Sequence, residues 1–185
     1  LTRHPDPELS KMFDGLAPAS SSSAQAGPVR TTAENQGYAE LKANKVKDAE
    51  VLFETALKQN PKSSGALAGL GFVRMKQENF SDAAALFESA AKEAPKDKDI
   101  ADALETARFW AAMDDGSKAF ATDQLSEAAE YYRKALELRP TSPEALNALG
   151  GTLMKSGDPI AAAQAFEKLT EQQPQNEQAW YELMN

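Results

Sequence analysis

The chain has 185 residues, contains no cysteine and carries a formal net charge of −8 at pH 7. The missing cysteines exclude disulfides, thiolate metal sites and cysteine nucleophiles. Because the chain is acidic and has no basic cluster, we expect no nucleic-acid partner, and an anionic membrane surface is disfavoured for the same reason. No stretch approaches the ~20 apolar residues of a membrane span, so direct membrane insertion is not expected.

The first segment, residues 1–29, is interpreted as a linker or irregular region. Its four prolines and a serine run at 20–23 prevent a long helix. The alternative is that its large apolar side chains lie on one side of a short helix, dock onto a neighbouring element and act as a cap. These side chains are Leu9, Met12, Phe13 and Leu16.

From residue 30 onward one pattern recurs four times, at steps of 34, 45 and 34 residues. A small residue is followed by an aromatic residue four positions later, a small or apolar residue three later and a proline five later. The pattern resembles the second helix of the tetratricopeptide repeat, a helix–turn–helix unit with a 34-residue period. The copies are Ala49, Phe53, Ala56 and Pro61; Ala83, Phe87, Ala90 and Pro95; Ala128, Tyr132, Ala135 and Pro140; and Ala162, Phe166, Leu169 and Pro174.

The first helix of each unit fits the same family. Leu70-Gly71 and Leu149-Gly150 supply its Leu-Gly pair, and Gly37 and Gly116 keep the glycine alone. A glycine there lets two helices cross closely, at a helix-propensity cost of about 1 kcal/mol that packing must offset. The resemblance implies an all-α tetratricopeptide repeat solenoid, a right-handed superhelix of antiparallel helix pairs that binds partners in its groove.

The repeat domain is predicted over 30–185, with repeats at about 30–63, 64–97, 98–142 and 143–176 and a partial fifth at 177–185. Asn44 and Asn79 are expected in the turns, because asparagine tolerates left-handed geometry at a helix end. The predicted helices are 33–42, 46–59, 64–77, 80–93, 97–122, 125–138, 143–155, 159–172 and, in the partial repeat, 178–184.

The third repeat is anomalous, with 11 surplus residues between its flanking prolines (45 minus 34). Eleven residues are about three helical turns, so an insertion of this length extends a helix without rotating its faces. We therefore predict an over-long first helix at 97–122. The alternative is a separate helix at 98–112 that breaks near the Asp114-Asp115-Gly116 bend.

The chain offers little for catalysis. Its one histidine, His4, lies in the irregular first segment, so a serine–histidine pair is not expected. Neighbouring aspartates such as Asp114 and Asp115 are interpreted as solvated helix residues. No catalytic residue, metal site or cofactor is predicted, and the chain is not expected to be an enzyme.

Function is instead expected on the groove that the first helices of such repeats line. A lysine–asparagine clamp for a C-terminal carboxylate is absent, since the first repeat has Glu34 and Tyr38 at those positions. The lining suits an amphipathic helix, an apolar peptide or the C–H face of a glucan. The alternative is that several of these rings pack between repeats. The candidate ligand residues are Tyr38, Phe72, Met75, Trp110, Met113, Phe120, Asn147, Met154 and Tyr181.

Two runs, GLGFVRMKQ at 69–77 and TARFW at 106–110, add a closer resemblance. They are similar to the periplasmic repeat region of the C component of bacterial cellulose synthase. That resemblance implies a non-catalytic periplasmic scaffold that links an inner-membrane synthase to an outer-membrane pore. Its partners would be proteins of the export machine, with the glucan chain as a further candidate. A general protein–protein interaction adaptor is the alternative.

Both chain ends are consistent with a piece cut from a longer protein. The sequence starts at Leu1 without a methionine or a signal-peptide core, and it stops within the predicted helix of the partial repeat. We expect further sequence on both sides.

Overall fold

A computed structural model describes residues 31–175, and within that range all regular structure is α-helical. The predicted helix bounds are confirmed to within one residue at each end, and the all-α repeat fold is confirmed. The predicted helix at 178–184 and the segment 1–29 lie outside the described residues. The helices are α1 (Thr32–Lys42), α2 (Val46–Gln59), α3 (Ser64–Lys76), α4 (Phe80–Glu93), α5 (Lys98–Ala121), α6 (Leu125–Leu138), α7 (Pro143–Ser156) and α8 (Pro159–Gln172).

Helix α5 is one continuous helix of 24 residues. The over-long first helix of the third repeat is therefore confirmed, and the alternative of a break near Gly116 is wrong. An aspartate pair and a glycine do not end this helix, because the surplus of about three turns keeps its apolar side in phase. The chain forms two compact units, one ending at Ala107 and one beginning at Arg108.

Short polar side chains cap the first turns of α1, α3, α7 and α8. Thr31 forms a capping box with Glu34: its hydroxyl accepts from the Glu34 N–H, and the carboxylate accepts from the Thr31 N–H at 2.6 Å. Ser63 and Ser142 each accept an N–H of the first turn of α3 and α7 at 3.2 Å. Asp158 caps α8 in the same way. These caps satisfy N–H groups that have no partner inside the helix.

The turn inside each repeat places one residue in the left-handed region. The four residues are spaced by 34, 45 and 34, and their φ angles are 60° at Asn44, 57° at Glu78, 62° at Asp123 and 82° at Gly157. The expectation for Asn44 is confirmed. The expectation for Asn79 is wrong, because Glu78 takes the left-handed position and Asn79 instead caps α4.

Gly157 provides a test of this turn. Gly157→Ala is expected to lower the free energy of unfolding by about 1 kcal/mol, because a residue with a Cβ disfavours positive φ. The new Cβ would meet no atom within 4 Å, so a steric clash would not add to this loss. Gly157→Asn should lower the free energy of unfolding by only a few tenths of the Gly157→Ala loss, because asparagine tolerates positive φ and Asn44 occupies the equivalent turn. Urea denaturation followed by circular dichroism measures both. Equal losses for the two variants would contradict the backbone explanation.

A glycine–aromatic contact recurs in every repeat and sets the distance between its helices. In the first unit the ring of Phe53 fills the space left by Gly37 and Gly69, where an added Cβ would lie 2.8 and 2.2 Å from ring atoms. These distances are shorter than a carbon–carbon contact allows, so only glycine fits. The same contact joins Gly71 to Phe87, Gly116 to Tyr132 and Gly150 to Phe166.

Candidate functional site

In the first unit, the predicted ligand residues are buried. Tyr38 is 2% exposed, Phe72 6% and Met75 3%. The Tyr38 hydroxyl donates to the Gly65 carbonyl at 2.7 Å, and its ring meets the Phe53 ring edge-on with centroids 4.9 Å apart. The expectation of an open ligand surface is therefore corrected for these three residues. They belong to the interior, as the alternative interpretation held.

The signature arginine of α3, Arg74, has a structural role. Its guanidinium pairs with the Glu50 carboxylate of α2 at 2.5 Å and donates to the Gln77 side chain at 2.7 Å. Gln77 closes the network by donating to Glu50 at 3.1 Å. Because the pair is partly buried, it ties two adjacent helices together.

Replacement of Arg74 separates a structural from a ligand-binding role. Arg74→Ala is expected to lower the free energy of unfolding by about 1–2 kcal/mol, since it leaves the partly buried Glu50 carboxylate without its cation. Affinity for any ligand of the repeats should not change. Denaturation and a binding titration on the same variant check both expectations. A folded variant of unchanged stability that loses binding would assign Arg74 to the ligand instead.

The second unit presents an open face on α7. Glu144, Asn147 and Gly151 are exposed, and Met154 is 37% exposed. These residues are three, four and three positions apart, so they lie along one side of the helix. A Cβ at Gly151 would meet nothing within 4 Å, so the middle of this side has no side chain, and we call this gap the depression.

The last turns of α5 lie beside α7. The Lys155 ammonium is 4.7 Å from the centre of the Phe120 ring and 2.8 Å from the Asp123 carboxylate. Phe120 and Trp110 are half-buried at the edge of the core that α5 shares with α7. The cation over the ring holds the two helix ends together.

The Trp110 ring is held in place by the neighbouring Phe109 ring. The two rings meet edge-on, with centroids 5.1 Å apart at 79°. The Arg139 guanidinium covers Phe109 at 4.4 Å from the ring centre. A ring held in this way can offer its solvent-facing side to a ligand without losing much side-chain entropy. Met113 is instead buried in the core, so the expectation that it contacts ligand is corrected.

We call the residues Trp110, Phe120, Asn147, Gly151 and Met154 the open face of the second unit. These residues supply two half-buried rings, an exposed primary amide, an exposed thioether and a glycine that leaves α7 bare at its middle. Tyr181, the ninth candidate, lies outside the described residues.

Between residues 31 and 175, no three acidic or histidine side chains are placed to hold a metal ion. A hydrogen bond from Lys45 to Glu40 raises the pKa of Lys45 above its ordinary value. Lys45 is exposed in the first unit and does not belong to the open face.

Comparison with known proteins identifies the repeats. The tetratricopeptide repeat model matches residues 40–107 and 119–185, most of the chain. The chain belongs to the tetratricopeptide repeat family. The aromatic residues of the glycine–aromatic contacts, Phe53, Phe87, Tyr132 and Phe166, all lie within the matched residues.

One curated relative of these repeats is the cellulose synthase operon protein C of Xanthomonas axonopodis pv. citri (strain 306). It is 33% identical over 133 residues, which are 72% of this chain and 9% of that protein. The chain therefore spans less than a tenth of the relative's length. The match alone therefore does not assign the relative's activity or partners to this chain.

Solved structures resemble the tetratricopeptide repeats in fold. A MamA protein is 19% identical with a TM-score of 0.50, over 82% of this chain and 76% of that one. YrrB, a repeat protein with an unusual peptide-binding site, is 24% identical with a TM-score of 0.47, over 82% and 72% of the two chains. At these identities the likeness concerns the fold alone.

Two further features of the repeats bear on the site. Among residues 31–175 no helix is both long and apolar enough to cross a membrane. Gly151 was left out of the candidate ligand residues because it has no side chain, although the 45- and 34-residue steps align it with Phe72. A small residue where an equivalent repeat carries a large one is the signal that could have found the depression.

Proposed function

We propose that this chain is part of a non-catalytic periplasmic scaffold for the export of a cellulose-like exopolysaccharide. The observation that carries the proposal is the 33% identity to a cellulose synthase operon protein over 72% of the chain. In this role the repeats would link an inner-membrane synthase to an outer-membrane pore. They would contact other proteins of the export machine and, at the open face of the second unit, the glucan itself.

The geometry of the open face supports contact with a glucan. A glucan presents flat C–H surfaces, which pack on aromatic rings, and equatorial hydroxyls, which pair with amides. Trp110 and Phe120 supply rings, and Asn147 supplies a donor and an acceptor. The depression at Gly151 lets a flat chain lie close to the helix backbone. A neutral polymer also suits a chain with a net charge of −8.

The alternative function is a general adaptor that binds a peptide or helix of a protein partner. Met154, exposed beside the depression, favours it, because a methionine surface adapts to varied apolar side chains. Under this function the affinity would depend on Met154 and Phe120 more than on Asn147, since apolar contact would dominate.

Titration with cellohexaose tests the glucan proposal. A Trp180→Phe background leaves Trp110 as the reporter, and its fluorescence should change on binding. Gly151→Arg, which fills the depression, should weaken binding at least about tenfold, or about 1.4 kcal/mol. Val51→Arg is the matched control, since Val51 is 62% exposed on α2 of the first unit.

Three outcomes have distinct meanings. Loss of binding in Gly151→Arg alone supports the glucan function. Equal binding by both arginine variants would show that the sugar binds outside the open face. No binding of cellohexaose at millimolar concentration, together with binding of a partner peptide that Gly151→Arg abolishes, supports the adaptor function. Periplasmic location is tested separately by fractionating cells that express the full-length protein.

A further inference from the structure

One lysine lies at the edge of the open face of the second unit. Lys155 is the only cation of α7, and it follows Gly151 by four positions, so it lies on the same side of the helix, one turn beyond the depression. Its ammonium is 4.7 Å from the centre of the Phe120 ring. A ligand that lies over Gly151 and reaches Phe120 therefore comes close to this positive charge.

A carboxylate of the chain already engages that ammonium. Asp123, in the turn that follows α5, lies 2.8 Å from the Lys155 Nζ. A carboxylate of a ligand would have to displace Asp123 or approach it as a like charge, and both are unfavourable. A sugar hydroxyl is uncharged, and it can accept from the ammonium or donate to the carboxylate without displacing either.

The other charges around the face act in the same direction. Asp114 follows Trp110 by four positions on α5 and pairs with Lys118 at 2.7 Å, so this second lysine is also engaged by a carboxylate. Glu144 is exposed at the start of α7, three residues before Asn147. Carboxylates thus offset both lysines, and Glu144 adds a negative charge that opposes an acidic ligand.

We propose that Asp123 is a specificity-determining residue, which restricts the open face to uncharged glycans by neutralising Lys155. The inference rests on the proposed function, because it concerns which polymers that site accepts. An acidic glycan carries uronic acid carboxylates, which pair well with a free lysine. Asp123 occupies the lysine in advance, and specificity of this kind comes from rejecting the wrong ligand.

The first two repeats carry an uncharged version of the same pair. Asn44 and Lys76 are the equivalents of Asp123 and Lys155 by the 34- and 45-residue steps, and the Lys76 ammonium donates to the Asn44 side chain at 3.3 Å. The φ angles are 60° at Asn44 and 62° at Asp123. Asp123→Asn therefore keeps the turn and a hydrogen bond to Lys155 while it removes one negative charge.

Titration of the wild type and Asp123→Asn with cellohexaose and with the corresponding hexamer of glucuronic acid tests the inference. Asp123→Asn should raise the affinity for the acidic hexamer about three- to fivefold, as expected for one exposed ion pair. The affinity for cellohexaose should not change, since that sugar has no charge. At about 1 M salt, where the screening length is about 3 Å, the gain should disappear.

Two further variants assign the gain to its cause. Glu54→Gln is the matched control, because Glu54 is exposed on α2 of the first unit and its replacement changes the net charge by the same amount. It should leave the affinity for the acidic hexamer unchanged. Addition of Lys155→Met to Asp123→Asn should cancel the gain, since the freed cation is then absent.

The inference and the proposed function can fail separately. Asp123→Asn that binds the acidic hexamer no better than the wild type would overturn the inference, as would an equal gain in Glu54→Gln or a gain that persists with Lys155→Met. A wild type that binds no cellohexaose would overturn the glucan function. A gain for the acidic hexamer that depends on Lys155 would still assign Asp123 its role in that case.

Discussion

Replacement of Phe53 by alanine is expected to lower the free energy of unfolding of the first unit by about 3–5 kcal/mol. The ring is fully buried and lies between Gly37 and Gly69, with the Tyr38 ring packed against it edge-on. Both glycines lack the atoms that could fill the space, so the cavity cannot collapse. Losses near the upper end of the range are typical of sites that relax little.

Urea denaturation of the full chain, followed by circular dichroism, measures this loss. Val51→Ala on the same helix is the control, because Val51 is 62% exposed and its truncation should change stability by less than about 0.5 kcal/mol. Phe53→Leu should fall between the two, since leucine fills part of the space. A Phe53→Ala variant as stable as Val51→Ala would show that the glycine–aromatic contact does not hold the first unit together.

The second large effect is expected at Gly150. Gly150→Ala should destabilise the second unit by about 1–3 kcal/mol, because overpacking forces neighbours to shift. The added Cβ would lie 2.6 Å from the Phe166 ring. Gly151→Ala, one residue later, should instead stabilise α7 by about 0.5–1 kcal/mol, because alanine is the better helix former.

The two variants form a matched pair, because substitution, helix and depth in the helix are the same. Only the surroundings of the new methyl group differ: Phe166 on one side and open space on the other. Thermal and urea unfolding of both proteins measure the difference. If both replacements stabilise the protein, the Phe166 ring yields to the methyl group and the close approach of the helices is not required.

The helices could be predicted from sequence because their signals are local and repeated. Proline after each second helix marks its end, and the small–aromatic–small spacing fixes which side faces the first helix. The long α5 was predictable because 11 residues preserve helical phase. The prediction for the second turn was wrong: Glu78, a residue without special turn preference, takes the left-handed position that was expected of Asn79.

The candidate site was less predictable, because burial depends on neighbours that the repeat pattern does not specify. Phe72 and Gly151 occupy equivalent positions, yet one is interior and the other is exposed. The pattern places both at the same position of a first helix and does not specify that the Phe72 ring packs edge-on against the Phe87 ring. Tyr38 is similar: its hydroxyl bonds to the Gly65 carbonyl of the next repeat, a contact between elements far apart in sequence.

Backbone amide NMR of the isotope-labelled chain, titrated with cellohexaose, tests the central claim most directly. The claim is that the open face of the second unit is the surface that binds the glucan. It predicts saturable shifts at Asn147, Gly151 and Met154 and at the Trp110 indole, with little change at Phe72 and Met75. Shifts centred on α1 and α3, or an absence of shifts at millimolar sugar, would contradict it.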